Sequence, residues 1–315
     1  MTANAPAPVV ADAIARLRDA VNGVVVGKED VVDLALTAVL AGGHILLQDV
    51  PGVGKTTLAA TLAGALGGTF ARVQFTADLL PGDITGVSVF DQRTATFSFR
   101  PGPLFANVVL ADEINRTSPK TQSALFEAMQ EGAVTVDGET RPLPRPFLVV
   151  ATQNPYDFHG TFPLPDSQLD RFLMRLSMGY PDRETERTVL RRSGVRSEAL
   201  GPAVTPEELC GLLEAAQQVV VPAPVEDYLL DLVARSRVEP ALVRGASTRG
   251  AQALYRSARA WALVQGRGYV VPEDVRDLAV PVLAHRVLAR DGGGPGGDGA
   301  VRAIEVLLDG LLPPG

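Results

Sequence analysis

Residues 44–57 read HILLQDVPGVGKTT: a short apolar run, a turn rich in Gly and Pro, then a lysine and two threonines. A buried strand feeding a glycine-rich loop that opens a helix is a phosphate trap. Backbone N–H groups of the loop point at the anion, and the helix dipole adds to them. In this pattern Gly52, Val53 and Gly54 form the cradle. Lys55 supplies a mobile positive charge for the β- and γ-phosphates. Thr56, followed by Thr57, places a hydroxyl to ligate Mg²⁺. The flanks agree. Ile45, Leu46 and Leu47 make the apolar run. After Lys55, Leu58, Leu62, Ala65 and Leu66 recur at helical spacing, and Gly67-Gly68 ends the helix. One position departs from the usual Gly, four residues, Gly-Lys-Ser/Thr: the first Gly is Asp49.

Downstream, the apolar run Val108-Val109-Leu110-Ala111 ends in Asp112-Glu113. A strand that ends in two carboxylates delivers them to the carboxyl end of a sheet, where ligands of open α/β folds bind. Asp112 is placed to hold Mg²⁺ together with Thr56, and Glu113 to polarise an attacking water. Those are the needs of ATP hydrolysis. A second buried run leads into Thr152-Gln153-Asn154-Pro155. Asn154 could orient the water, and a turn-forming Asn-Pro is an equally good reading. Leu169-Asp170-Arg171-Phe172, with Arg175 after it, offers an arginine to a neighbour's γ-phosphate. On the residues alone, a surface ion pair with Asp170 is the stronger reading. In Gly245-Ala-Ser-Thr-Arg249, Ser247 is an N-cap and Arg249 sits in the first turn, against the helix dipole. A phosphate partner would resolve that conflict.

The length of 315 residues suggests two domains. With 46% apolar and 21% charged residues the chain can bury a sizeable core. A net charge of −7 argues against nucleic acid as a partner. Cys210 is the single cysteine, which excludes an intrachain disulfide and a cysteine-based metal site and fits a reducing cytosol. No basic segment followed by an apolar one opens the chain. The longest uncharged apolar-rich stretch, 34–48, is too short to span a bilayer. The expectation is a cytoplasmic protein with no membrane insertion.

Residues 1–10 read as disordered. Helices are expected near 12–20 and 30–40, a strand at 70–75, a hairpin at 87–99 and a strand at 108–111. A helix should run from Ser118-Pro119 to Gly132. A hairpin with an Asp-Gly turn starts at Val134, and a strand covers 147–151. Strands alternating with helices imply a parallel sheet with crossovers. Beyond about residue 181 strand signals fade. Thr205-Pro-Glu-Glu208 is a capping box. Helical patterns follow near 225–238, 248–265 and 272–289, the last kinked or broken by Pro281. DGGGPGGDG at 291–299 is a flexible linker by composition, and a short helix over about 300–312 closes the chain.

Together these motifs resemble the MoxR family of AAA+ ATPases over residues from about 15 to 290. The matching stretches are DVPGVGKTTLA, FTADLLPGDITG, ADEINRTSPKTQSALFEAMQEG, FLVVATQNP, FPLPDSQLDRFLMRL and GASTRGAQAL. The resemblance implies an α/β fold: a P-loop AAA+ parallel sheet with helices on both faces over 11–181, then a small all-α lid domain over 182–290. The linker 291–299 and a C-terminal helix and tail, 300–315, complete it. By resemblance Asn154 is similar to sensor 1, Arg171 to the arginine finger (Arg175 the weaker candidate) and Arg249 to sensor 2. Val26 and Gly27 match the segment that lines the adenine. The hairpin at 87–99 resembles an insert in the second helix of the domain, and 134–141 the hairpin before sensor 1. Asp49 fits the family pattern. Asp157-Phe158-His159-Gly160 departs from it, and His159 is given no role. His44 and His285, in apolar contexts, read as structural. The implied activity is hydrolysis of the β–γ phosphoanhydride of ATP, with Mg²⁺, at the interfaces of a homo-oligomeric ring, usually a hexamer. The implied partner carries a von Willebrand factor A-type domain. The implied work is chaperone-like remodelling or metal-cofactor maturation. A magnesium-chelatase-type ATPase subunit, or a nucleotide-switch scaffold with little turnover, is the alternative. A GTPase is disfavoured, because the chain has no Asn-Lys-x-Asp motif.

Overall fold

Five parallel strands make the central sheet, in the order Phe70–Gln74, Val108–Asp112, Leu148–Gln153, His44–Gln48, Phe172–Leu176. The structure is a computed structural model and describes residues 6–154, 160–192, 201–291 and 296–314. The inner strands are near-continuous apolar runs because both faces are covered. Alternation by two sorts their side chains. Ile45, Leu47, Val108, Leu110, Leu148 and Val150 join one apolar cluster with the helices Pro8–Asn22, Glu29–Leu40 and Lys55–Ala65. Leu46, Val109, Ala111, Val149 and Ala151 join the other, with Leu125 and Phe126 of the helix Pro119–Glu131. That helix starts at Ser118, whose side chain accepts from Thr121 N, and stops at Gly132 in the left-handed conformation.

After the first strand the chain leaves to the far edge, returns strand by strand, and finally crosses to the other side of His44–Gln48. The strand order therefore reverses beside the strand that feeds the phosphate loop, where ligands of such sheets bind. Two hairpins, Gly86–Asp91 with Thr96–Pro101 and Ala133–Val136 with Glu139–Pro142, stand off the sheet.

The second half is mainly helical: Arg183–Arg192, Pro206–Gln218, Ala223–Ser236, Thr248–Val264, Pro272–Leu283 and Asp298–Asp309. Thr205 and Glu208 form the expected reciprocal cap. The buried apolar residues of the helices from Pro206 onward belong to the same cluster as Val32 and Leu36, and the helix Thr248–Val264 packs onto Glu29–Leu40, while Val189 and Leu190 of Arg183–Arg192 are exposed.

Several expectations need correction. Residues 8–10 are helical: Pro8 opens the first helix at a position that suits proline, and Ala13, Ile14, Leu17 and Val21 bury its apolar stripe. Phe172–Leu176 is a fifth strand that the sequence reading took only as an arginine motif. The helix from Pro272 ends at Leu283, two residues past Pro281, and the chain then pairs Leu288–Ala289 with Leu242–Arg244. The lid thus carries a two-stranded antiparallel sheet among its helices. The last helix begins at Asp298, inside the stretch read as linker, and residues 292–295 of that stretch lie outside the described residues.

Candidate nucleotide site

Asp49 extends the sheet by one bond, its N–H donating to the Gln153 carbonyl at 3.3 Å. The chain then turns through Gly52 and Gly54, at φ of +87° and +97°, where a side chain is strained. The helix Lys55–Ala65 follows with Gly54 as its N-cap and no side-chain cap. Its first-turn N–H groups therefore have no side-chain acceptor, as an anion cradle needs. Lys55 Nζ folds over the loop and donates to the Asp49 carbonyl at 3.0 Å.

The Asp49 carboxylate, where the common pattern has Gly, is buried. It accepts from Ser177 Oγ at 3.0 Å, from Gly179 N at 3.3 Å and from Met178 N. These donors follow the strand Phe172–Leu176. The same segment continues to Tyr180, whose carbonyl accepts from Lys28 Nζ at 3.0 Å. It then reaches Thr185, which fills the space beside Gly27 so closely that a Cβ there would collide with its hydroxyl. Val26 and Gly27 are in this way tied to the segment that Asp49 staples to the phosphate loop.

At the same carboxyl end, Asp112 Oδ1 accepts from Thr152 Oγ1 at 2.6 Å and Oδ2 pairs with Arg72 at 2.6 Å. Thr152 Oγ1 also accepts from Glu113 N at 2.9 Å. That bond helps hold Glu113 at φ 57°, ψ 51°, a left-handed conformation rare for a non-glycine residue and typical of functional sites. The Glu113 carboxylate accepts from Gln74 Nε2 at 3.0 Å and pairs with Arg116 at 2.9 Å. Arg72, Gln74 and Thr152 escaped the sequence reading. Their signal was register: Gln74 stands opposite Asp112, and Arg72 and Gln74 share one face of an edge strand around the buried Val73.

Asn154 follows the strand Leu148–Gln153 and lines a cleft of about 1010 Å³ with Gln48, Gln153, Arg175 and Asp277. Lys55, Thr56 and Glu113 do not line it. Arg175 is used inside the subunit. It donates to Gln48 Oε1 at 2.9 Å and to the Gly296 carbonyl, and burial lowers its pKa, with Asp298 opposing.

Arg171 lies at the other end of the sheet, one residue before Phe172, which pairs with His44. Its Nη1 donates to the Phe126 carbonyl at 2.6 Å, while its Nε is buried without a partner. Arg249, 57% exposed, meets Asp170 at 3.6 Å. Both line a cleft of about 830 Å³, with Arg256 and Arg286. Arg286 is buried and pairs with Asp170 at 2.8 Å. Burial pushes its pKa down to about 10, with Asp170 opposing. The strand His44–Gln48, which spans about 13 Å at about 3.3 Å per residue, separates the end where Arg171 lies from the end that feeds the phosphate loop. His44 is structural: Nε2–H donates to the Met129 carbonyl at 3.0 Å and Nδ1 accepts from Val149 N at 3.0 Å. His285 is also buried, with Nε2 3.1 Å from the Phe172 carbonyl. His159 lies outside the described residues.

Residues 44–174 match the ATPase family associated with various cellular activities (AAA), and residues 234–302 match the AAA lid domain. The chain is 42% identical to the chaperone MoxR1 of Mycobacterium tuberculosis over 277 residues, 85% of this chain and 74% of the relative. The chain belongs to the MoxR family of AAA+ ATPases. Another relative, the uncharacterized protein YeaC of Bacillus subtilis, is 50% identical over 270 residues, 85% of this chain and 84% of its own. A solved structure from Cytophaga hutchinsonii superposes with a TM-score of 0.89 at 37% identity, covering 97% of this MoxR-family chain and 96% of that one. No helix among the described residues is long and apolar enough to cross a membrane.

Proposed function

We propose that this chain hydrolyses Mg-ATP at the interfaces of a homo-oligomeric ring and uses the turnover to remodel partner proteins in the cytoplasm. One observation carries the reading: the phosphate loop with Asp112 and Glu113 stands at one end of the sheet, and Arg171 with Arg249 at the other. In this conformation the sheet keeps the two ends of one subunit apart. Subunits placed head to tail can bring them together, and such contacts give a ring when the rotation between neighbours closes.

The donor set fits the nucleotide and its ion. The uncapped helix start and Lys55 suit phosphates, and a hydroxyl with carboxylate oxygens suits Mg²⁺. Thr56 and Asp112 would hold the ion, which when bound neutralises charge on the β- and γ-phosphates. Backbone N–H groups from Gly52 to Thr57 orient the phosphates. Val26 and Gly27 line the adenine. Glu113 takes the proton of the water that attacks the γ-phosphorus as the bond to the β–γ bridging oxygen breaks. Asn154 orients that water. Arg171 and Arg249 come from the neighbour and meet the charge that builds up. The client class follows the relative named as a chaperone, and the partner with a von Willebrand factor A-type domain follows the family resemblance. Metal-cofactor maturation is one form this work would take, and a hexamer the ring size.

The test is complementation. Lys55→Ala and Arg171→Ala should each be inactive alone, the second losing roughly a thousandfold in turnover. Mixed rings contain interfaces with an intact loop on one side and an intact arginine on the other, so mixing should restore part of the activity. Mixed rings shown by native mass spectrometry that stay inactive would overturn the interfacial site.

A further inference from the structure

Three arginines of the 830 Å³ cleft keep hydrogen-bonding capacity that their own subunit does not use. Arg286 is satisfied by Asp170 and by backbone carbonyls. Arg249 reaches Asp170 only at 3.6 Å, beyond hydrogen-bond distance. Arg171 leaves Nε buried and unpartnered. Arg256 is exposed and makes no hydrogen bond or ion pair among the described residues, and the protein around it still lowers its pKa by desolvation. A guanidinium that loses water without gaining a partner destabilises the lone subunit, and it gains most from an anion that arrives from outside.

Arg249 and Arg256 are seven residues apart on the helix Thr248–Val264. They share a face and stand about 10 Å apart along its axis. Arg256 stands about two turns along the helix from Arg249, whose end of the helix meets Asp170. In a head-to-tail neighbour the phosphate-loop end would face it, and beside the adenine segment that end mixes charges: Lys28 bonds the Tyr180 carbonyl and Arg187 pairs with Glu184, Arg183 is exposed, and three acids stay unpaired. Glu29 and Asp30 open the helix that follows Gly27, and Glu186 lies in the first turn of the helix whose Thr185 packs on Gly27. All three are exposed and have no ion pair among the described residues. Acids in a first helical turn are favoured by the dipole, which accounts for their sign without a partner. It does not account for an unpaired arginine on the opposite edge.

We propose that the partner of Arg256 is a second copy of this chain, and that its guanidinium docks on the acidic rim formed by Glu29, Asp30 and Glu186. Arg171 and Arg249 then serve the neighbour's nucleotide, and Arg256 serves assembly. This rests on the ring reading above. Complementary charge on the two edges orients each encounter head to tail and disfavours pairing of like edges.

The experiment follows assembly of the full chain with a slowly hydrolysed ATP analogue, by light scattering across protein concentration at low and high salt. Arg256→Glu should raise the concentration for half-assembly about tenfold or more at low salt, and less at high salt. ATP binding by dilute subunits should not change. Arg256→Gln should shift assembly the same way by less, and it keeps the test usable if the Glu variant melts early. Adding Glu186→Arg, or Glu29→Arg with Asp30→Arg, to the Arg256→Glu chain should bring assembly back, since every interface then carries the swapped pair. A parent that assembles while Arg256→Glu assembles equally well, or is restored by neither swap, overturns this inference alone. Unchanged assembly with a raised ATP requirement would give Arg256 to the nucleotide and overturn it too. A parent that stays monomeric with nucleotide overturns the ring reading itself.

Discussion

Glu113 sits in a left-handed conformation between Gln74 and Arg116, so its carboxylate is held in place before any nucleotide arrives. Glu113→Gln keeps the size and the backbone bond to Thr152 and removes the proton acceptor together with the charge that pairs with Arg116. ATP binding should persist while turnover falls roughly a hundredfold or more. Single-turnover hydrolysis beside calorimetric binding separates the two, and near-parental turnover would take Glu113 out of the chemistry. His44 gives a prediction about stability. Burial lowers its pKa to about 4, with Arg256 a smaller contribution in the same direction and the Met129 carbonyl opposing. Above pH 6.5 the imidazole is neutral in both folded and unfolded chains and stability does not depend on it. Below 6.5 the unfolded chain takes up the proton and the folded one does not until about pH 4. Stability should therefore fall across that window, by up to roughly 3 kcal/mol. His285, whose pKa burial also lowers, adds with the same sign. Melting temperatures of the parent and His44→Gln between pH 7.5 and 5 check this: the variant should lose less, and identical slopes would exclude His44 as a source.

At the scale of elements, what was legible followed from periodicity and punctuation. The runs at Ile45–Leu47, Val108–Ala111 and Leu148–Ala151 are apolar at every position because helices cover both faces, and Ser118, Gly132, Thr205 and Glu208 mark helix ends by their own hydrogen bonds. The strand Phe172–Leu176 was not legible, because Arg175 interrupts its apolar run and Arg171 drew the reading to chemistry. The lid strands of two and three residues are too short to carry a pattern. The phosphate loop and the two carboxylates were readable because each is a local motif. Their supports were not, because Arg72, Gln74 and Thr152 act across strands and Asp49 acts across 128 to 130 positions of chain. Asp49 joins two elements, the loop and the segment after the last strand. Asp49→Ala leaves Met178 N, Gly179 N and Ser177 Oγ unmet, and should cost about 1–3 kcal/mol of stability and weaken ATP binding. Asp49→Asn, which keeps an acceptor, should fall between parent and Ala on both measures. An Ala variant equal to the parent in melting and in ATP affinity would make the staple inert.

For the whole molecule, the two ends of one sheet decide which groups can ever meet. Arg171 and Arg249 line the same cleft, and Asp170 links Arg249 to Arg286 directly beside Arg171. If both arginines act on the next subunit's nucleotide, an interface needs them on the same chain. Arg249→Ala mixed with Lys55→Ala should then regain part of its activity, as is expected of Arg171→Ala. Arg249→Ala mixed with Arg171→Ala should regain none, because every arginine edge in such a ring lacks one of the two. A role of Arg249 on its own phosphate loop gives the opposite result. An Arg171→Ala subunit would then bring a complete loop with its own Arg249, an Arg249→Ala neighbour would bring Arg171, and the interface between them would work. Steady-state hydrolysis of the three pairwise mixtures, each shown to exchange subunits, reads the answer directly. Rescue in the double-arginine mixture would move Arg249 back to its own subunit's nucleotide, and would require the lid to swing away from the cleft in which it now rests.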